Sequence, residues 1–128
     1  MAKNYLVDTD VLVDYLRGEE KAVNYIKKHA KKITLSAVSA AELYAGVREG
    51  REQQQLDEFI GLFPILPVNL ETAQIGGIYK RDFFKSHHLS LADAIIAATA
   101  ETHEADLTTL NTKHFPMLKG LKPPYKKE

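Results

Sequence analysis

Three carboxylates stand where a catalytic site could be assembled. Asp8 directly follows the apolar run Tyr5-Leu6-Val7, Glu42 closes Ser39-Ala40-Ala41-Glu42, and Asp93 closes Ser90-Leu91-Ala92-Asp93. Each has an ordinary structural explanation. An aspartate between a strand and a helix is a favoured N-cap, Ser39 and Glu42 have the spacing of a capping box, and Asp93 would complement a helix dipole. Capping, however, does not require convergence. Carboxylates drawn within a few ångströms repel, so at least one pKa rises unless a cation joins them. Hard oxygen donors completed by water suit magnesium or manganese, and such an ion activates water and stabilises charge on a phosphoryl group. The corresponding chemistry is phosphodiester hydrolysis.

The rest of the composition removes competing chemistries. The 128 residues contain no cysteine, which excludes disulfides, thiol nucleophiles and cysteine-ligated zinc. The five histidines show no H-E-x-x-H spacing, so zinc hydrolysis has no support. No phosphate-binding glycine loop and no Ser-His-Asp set is present, and His87-His88 reads as an exposed turn between helices. Seventeen basic and seventeen acidic residues cancel, so the chain lacks a strong positive field that would by itself imply nucleic acid. The basic pairs Lys27-Lys28, Lys31-Lys32, Lys80-Arg81 and Lys126-Lys127 read as solvated helix faces. No apolar run approaches the roughly 20 residues of a membrane span, and the stretch before Asp8 is too short for a secretory signal. The expected location is the cytoplasm.

The elements that must position the three acids alternate in type. Tyr5-Leu6-Val7 reads as a strand, followed by a helix through Tyr15-Leu16. A second helix carries Val23, Tyr25 and Ile26 and leads into the strand Ile33-Thr34-Leu35. A third helix is expected from about Ser39 to Gly50, and a fourth over Arg51 to Phe63 with an apolar stripe at Leu56, Phe59, Ile60 and Phe63. Ile65-Leu66-Pro67-Val68 suits an edge strand, because Pro67 cannot donate to a ladder. Helices over Glu71 to Lys85 and Leu91 to His103 follow, then a strand over Ala105 to Leu110. Gly76 and Gly77 in the fifth helix suggest close packing. The tail from about Pro116 is weakly structured by composition. Strands separated by helices imply crossover connections and a parallel sheet covered on both faces, with ligands outside the carboxyl ends of the strands. The expectation is therefore one domain over residues 1–128, α/β in class, with three α/β/α layers around a parallel sheet of four or five strands.

The ordered motifs resemble a family. Tyr5-Leu6-Val7-Asp8-Thr9-Asp10-Val11-Leu12 is similar to the opening motif of PIN domains, Ser39-Ala40-Ala41-Glu42-Leu43 to their second, and Leu91-Ala92-Asp93-Ala94 to their third. Leu107 to Phe115 is similar to the last. Within that family the small size resembles VapC toxins, magnesium-dependent endoribonucleases held inactive by a VapB antitoxin and usually dimeric. The resemblance implies that Asp8 and Asp93 hold the metal and that Glu42 ligates it directly or through water. It also implies that Asn111 orients the site as a neutral ligand and that a water attacks the phosphorus of an RNA substrate. Asp10 stands where the family more often has asparagine, and Asn111 where many relatives carry a fourth acid. Thr9 and Thr109 could orient carboxylates or waters. A homodimer and a protein antitoxin are the implied partners, with apolar side chains on the second and fourth helices as contacts.

Two other readings remain open on the sequence. Asp8-Thr9-Asp10-Val11 also resembles the start of haloacid-dehalogenase-type phosphatases, in which Asp8 would be the nucleophile and Asp10 an acid-base. Alternatively, with Asn111 in place of an acid, the chain could be a PIN-like binding module that has lost catalysis.

Overall fold

β-forming residues at Tyr5–Val7 (β1) and Ile33–Ser36 (β2) build two neighbouring strands, and the second is buried along its whole length. The computed structural model describes residues 3–126, so Lys127 of the last basic pair lies outside the described residues. Helices α1 (Thr9–Leu16) and α2 (Glu20–His29) join β1 to β2. Then come α3 (Ala37–Ala45), α4 (Arg51–Ile60), β3 (Ile65–Leu66), α5 (Leu70–His87), α6 (Leu91–Thr102) and β4 (Asp106–Thr108). Single 3₁₀ turns lie at Ala30–Lys32 and Thr112–His114.

The strands form one parallel sheet in the order β3-β2-β1-β4. Tyr5 stands opposite Ile33 on one side and Asp106 on the other. The chain moves outward from β1 through β2 to β3, then returns to the far side of β1. That reversal makes the carboxyl ends of β1 and β4 the switch point, where parallel sheets build their ligand sites. Asp8 and Thr109 are the residues immediately beyond those two ends.

Two apolar clusters cover the sheet. Val7, Val11, Leu12, Ile26, Leu35, Leu56 and Phe59 pack on one face, and Leu6, Leu89, Ile96, Ala97, Leu107 and Phe115 on the other. The alternation of Leu6 and Val7 between clusters is the period-two pattern of a strand covered on both sides. Helices α5 and α6 pack together where Gly76 faces Ile95. A Cβ at Gly76 would stand 2.9 Å from Ile95 Cγ1 and 3.1 Å from Ile95 Cα, whereas Gly77 has nothing within 4 Å. Only Gly76 is therefore a close-approach glycine.

Several expected boundaries move, each for a local reason. The third helix begins at Ala37 and ends at Ala45 rather than running from Ser39 to Gly50. Ser36, the last residue of β2, is its cap, with Oγ accepting the Ser39 N–H at 2.9 Å. The expected capping box at Ser39 and Glu42 is thereby overturned, and Glu42 sits beyond the first turn. At the far end Gly50 takes φ +90°, open to glycine without strain, and separates α3 from α4. Strand β3 stops at Leu66, before Pro67, and lies at the sheet edge. Strand β4 is confined to Asp106–Thr108, because Thr109 turns toward Asp8. Beyond Phe115 the described residues contain no helix or strand, yet Tyr125 anchors them by donating to Asp14 Oδ2 at 2.8 Å.

Candidate active site

Asp8 follows β1 with extended backbone (φ −69°, ψ 157°) and caps α1. Its Oδ1 accepts the Thr9 N–H at 2.8 Å, and its Oδ2 accepts the Thr109 hydroxyl at 2.8 Å. The side chain is 5% exposed. Burial, then the charge of Asp10, pushes its pKa up to about 7; the bonds from Thr109 and Thr9 pull against that, and the charge of Asp93 adds to the rise. Asp93 is thus close enough for its charge to register at Asp8.

Asp10 is spent on structure. Its Oδ1 accepts the Val11 N–H at 2.7 Å, and its Oδ2 accepts the Leu110 N–H at 3.0 Å and the Thr109 hydroxyl at 3.3 Å. This clasp holds the loop after β4 against the start of α1. Burial raises the Asp10 pKa while the Leu110 and Val11 amides oppose it. With both oxygens committed to backbone, Asp10 is a poor acid-base partner for a nucleophilic Asp8, which removes the geometric basis of the phosphatase reading.

Glu42 enters from α3 and is exposed. The Thr9 hydroxyl lies 2.7 Å from Glu42 Oε1 and 2.9 Å from Ser39 Oγ. With one proton it serves one acceptor at a time, and the charged carboxylate holds it more strongly. Ser36 and Ser39, both buried, extend this chain of hydroxyls beneath Glu42 with Oγ atoms 3.2 Å apart. Thr9 therefore links Glu42 to the helix that Asp8 caps.

Asp93 lies in the first turn of α6, where its N–H donates to the capping Ser90 Oγ at 3.1 Å. The expected S-x-x-D cap is present, but the carboxylate has a partner of its own. His114 Nε2 stands 3.1 Å from Asp93 Oδ2, with the side chains 20% and 29% exposed. Asn111 is exposed; its backbone N–H donates to Thr109 Oγ1 at 3.1 Å. Among the described residues the Asn111 side chain makes no hydrogen bond to Asp8, Glu42 or Asp93.

The three carboxylates do not close into one ligand cluster in this structure. Among the described residues no three Asp, Glu or His side chains form a group able to hold a metal unaided. The charge of Asp93 registers at Asp8, while Glu42 is linked to Asp8 through Thr9. A donor set of this kind still fits a hard divalent ion, since magnesium keeps several waters and is commonly held by one or two carboxylates. Burial and the charges of Asp10 and Asp93 disfavour the ionised form of Asp8, a cost that a bound cation would offset.

The PIN domain family model matches residues 5–119. The chain belongs to the PIN domain family. Ribonuclease VapC19 of Mycobacterium tuberculosis is 40% identical over 124 residues, covering 94% of this chain and 98% of that protein. Ribonuclease VapC10 of the same organism is 37% identical over 123 residues, covering 94% and 92%. Among solved structures, a toxin-antitoxin complex from Klebsiella pneumoniae contains a chain that superposes with TM-score 0.83 at 27% identity, covering 97% of this PIN domain and all of that chain.

Sequence reasoning missed His114 as a site residue. It sits inside the last motif, but nothing in the spacing of Asn111-Thr112-Lys113-His114 reveals that the 3₁₀ turn aims its ring at Asp93. Ala22 and Ile26 of α2 and Leu56 and Phe59 of α4 are buried, whereas Leu62 just beyond α4, Leu70, Ile78 and Phe84 of α5 and Leu91 of α6 are exposed.

Proposed function

We propose that this PIN domain is a divalent-metal-dependent endoribonuclease, the toxin of a VapBC-type pair, with Asp8, Asp93, Glu42 and Asn111 as its site. The observation that carries the reading is Asp8, buried at the sheet's switch point with its pKa pushed up beside Asp10 and Asp93. The ribonuclease names of the two mycobacterial relatives support the activity, and the Klebsiella toxin-antitoxin complex supports an antitoxin partner. Among the described residues no helix is long and apolar enough to cross a membrane; the place of action proposed with this reading is the cytoplasm. A homodimer is part of the same proposal, and the exposed apolar residues of α5 are better placed for it than those of α2 or α4.

In this mechanism Asp8 and Asp93 would hold magnesium or manganese, with Glu42 completing the set directly or through a water. The ion, when bound, supplies water activation and charge stabilisation on the scissile phosphate. Thr109 and the Thr9 amide fix the Asp8 carboxylate in place, so little reorganisation accompanies binding. Thr9 fixes one Glu42 oxygen and leaves the other for a water or the ion. Asn111, following the clasped Thr109, adds a neutral amide that orients without further repulsion. No side-chain nucleophile is needed. The experiment is a metal-titrated cleavage assay on total and transfer RNA with mapped cut sites. Cleavage that follows added magnesium or manganese and stops in excess chelator is expected; undiminished cleavage in chelator contradicts it.

A further inference from the structure

Away from the acidic site the lysines gather on one surface. Three adjoining concavities share His29, the largest about 570 Å³, and seven lysines line them, including Lys28, Lys31, Lys32, Lys119 and Lys122. The whole chain carries only 17 basic residues against 17 acidic ones, so this is a marked segregation of charge. None of the seven pairs with a carboxylate among the described residues. The one acid lining these concavities, Asp106, is faced by Lys3 at 4.0 Å.

The floor of this surface is aromatic. Tyr5 and His29 meet edge to face at 5.3 Å between ring centroids, Tyr25 and His29 at 4.5 Å, and Lys32 Nζ lies 5.9 Å over the Tyr5 ring. All three rings are half-buried, so each keeps part of a face at the surface. Burial and the neighbouring Lys28 and Lys32 lower the His29 pKa, which favours a neutral ring. Rings set among lysines are the pairing that single-stranded nucleic acid uses, with bases stacking and phosphates meeting cations. The surface also leads to the site. Tyr25 Oη lies 3.4 Å from Thr108 Oγ1, and Thr108 precedes the Thr109 that binds Asp8.

We infer that the His29 surface is a second contact for single-stranded RNA, holding a segment beside the cleaved bond. The inference rests on the ribonuclease reading for its biological sense, but binding is measurable without cleavage. The probe is a labelled mixed-sequence single-stranded RNA of ~16 nucleotides, read by fluorescence anisotropy with the full chain in excess chelator. Substituting Lys28→Gln, Lys32→Gln and Lys122→Gln together should lower affinity by about tenfold or more and reduce the salt slope by about 2. His29→Ala should weaken binding several-fold at unchanged slope, and Lys85→Gln on α5 should change neither. Circular dichroism melts confirm folding, and the single Lys122→Gln variant, in a loop, provides a second reading if the triple variant does not fold. Wild-type affinity and slope in the folded variants overturn the inference. So does competition by polyglutamate as effective as by RNA together with an indifferent His29→Ala, which would assign the surface to an acidic protein segment. A wild-type chain that cleaves no RNA sinks the ribonuclease reading alone, because anisotropy still decides this one.

Discussion

His114 Nε2 lies 3.1 Å from Asp93 Oδ2, although one residue precedes β4 in the chain and the other follows it. The contact ties the last motif to the first turn of α6 and engages an oxygen that the proposed metal needs. Both side chains are partly exposed, so the pair contributes about 0 to 1 kcal/mol to stability. His114→Ala is expected to leave the melting temperature in chelator nearly unchanged. It should shift magnesium-induced stabilisation to several-fold lower concentration, since a competing donor has gone. An unchanged or weakened magnesium response would show that His114 does not compete for Asp93.

Asp8 sets a pH dependence for the metal-free protein. Its folded pKa is raised from 3.8 to about 7. Below about pH 4 both states are protonated and no penalty arises. As pH rises from about 4 to 7 the unfolded chain ionises first, so stability falls through that window and the loss is complete above it. Asp8→Asn should flatten this slope and make the chelated protein more stable than wild type above pH 7, by about 1 to 3 kcal/mol. Denaturant unfolding in chelator across pH 4 to 8 measures it, and parallel curves for the two proteins would contradict it.

Thr109 is fully buried; its hydroxyl accepts the Asn111 N–H and has one proton to give, to Asp8 at 2.8 Å in preference to Asp10 at 3.3 Å. Thr109→Val keeps the shape and strands those partners, so a loss of about 1 to 3 kcal/mol is expected in thermal unfolding. A change under about 0.5 kcal/mol would mean that water replaces the hydroxyl.

The adjacent glycines of α5 make a controlled comparison. Gly76→Ala forces a Cβ against Ile95 backbone and side chain and should destabilise by about 1 to 3 kcal/mol despite alanine's better helix propensity. Gly77→Ala, open on all sides, should stabilise by up to about 1 kcal/mol. Equal effects in thermal melts would count against the α5–α6 contact.

These outcomes also mark where the sequence was legible. Short apolar runs ending in Asp8 and Ser36 announced strands feeding helices, and the alternation of elements implied a parallel sheet whose carboxyl ends carry the acids. Side-chain choices among equivalent local partners were not legible. Ser36 and Ser39 share the spacing of a cap, and only the length of β2 decides that Ser36 takes the role. The Asp10 clasp on Leu110 and the aim of His114 at Asp93 depend on contacts between distant segments, which no local spacing encodes. Gly76 and Gly77 look alike in sequence, and their difference is created by the position of Ile95.

The most direct test of the account is Asp93→Asn, measured for RNA cleavage at saturating magnesium and for melting temperature in chelator. Asparagine keeps the shape and can still accept from His114, so apo stability should stay within about 1 kcal/mol of wild type or rise as repulsion with Asp8 is relieved. Cleavage should fall by orders of magnitude with metal affinity. A variant that is destabilised yet cleaves at the wild-type rate would reduce Asp93 to a helix-start residue and contradict the metal site proposed here.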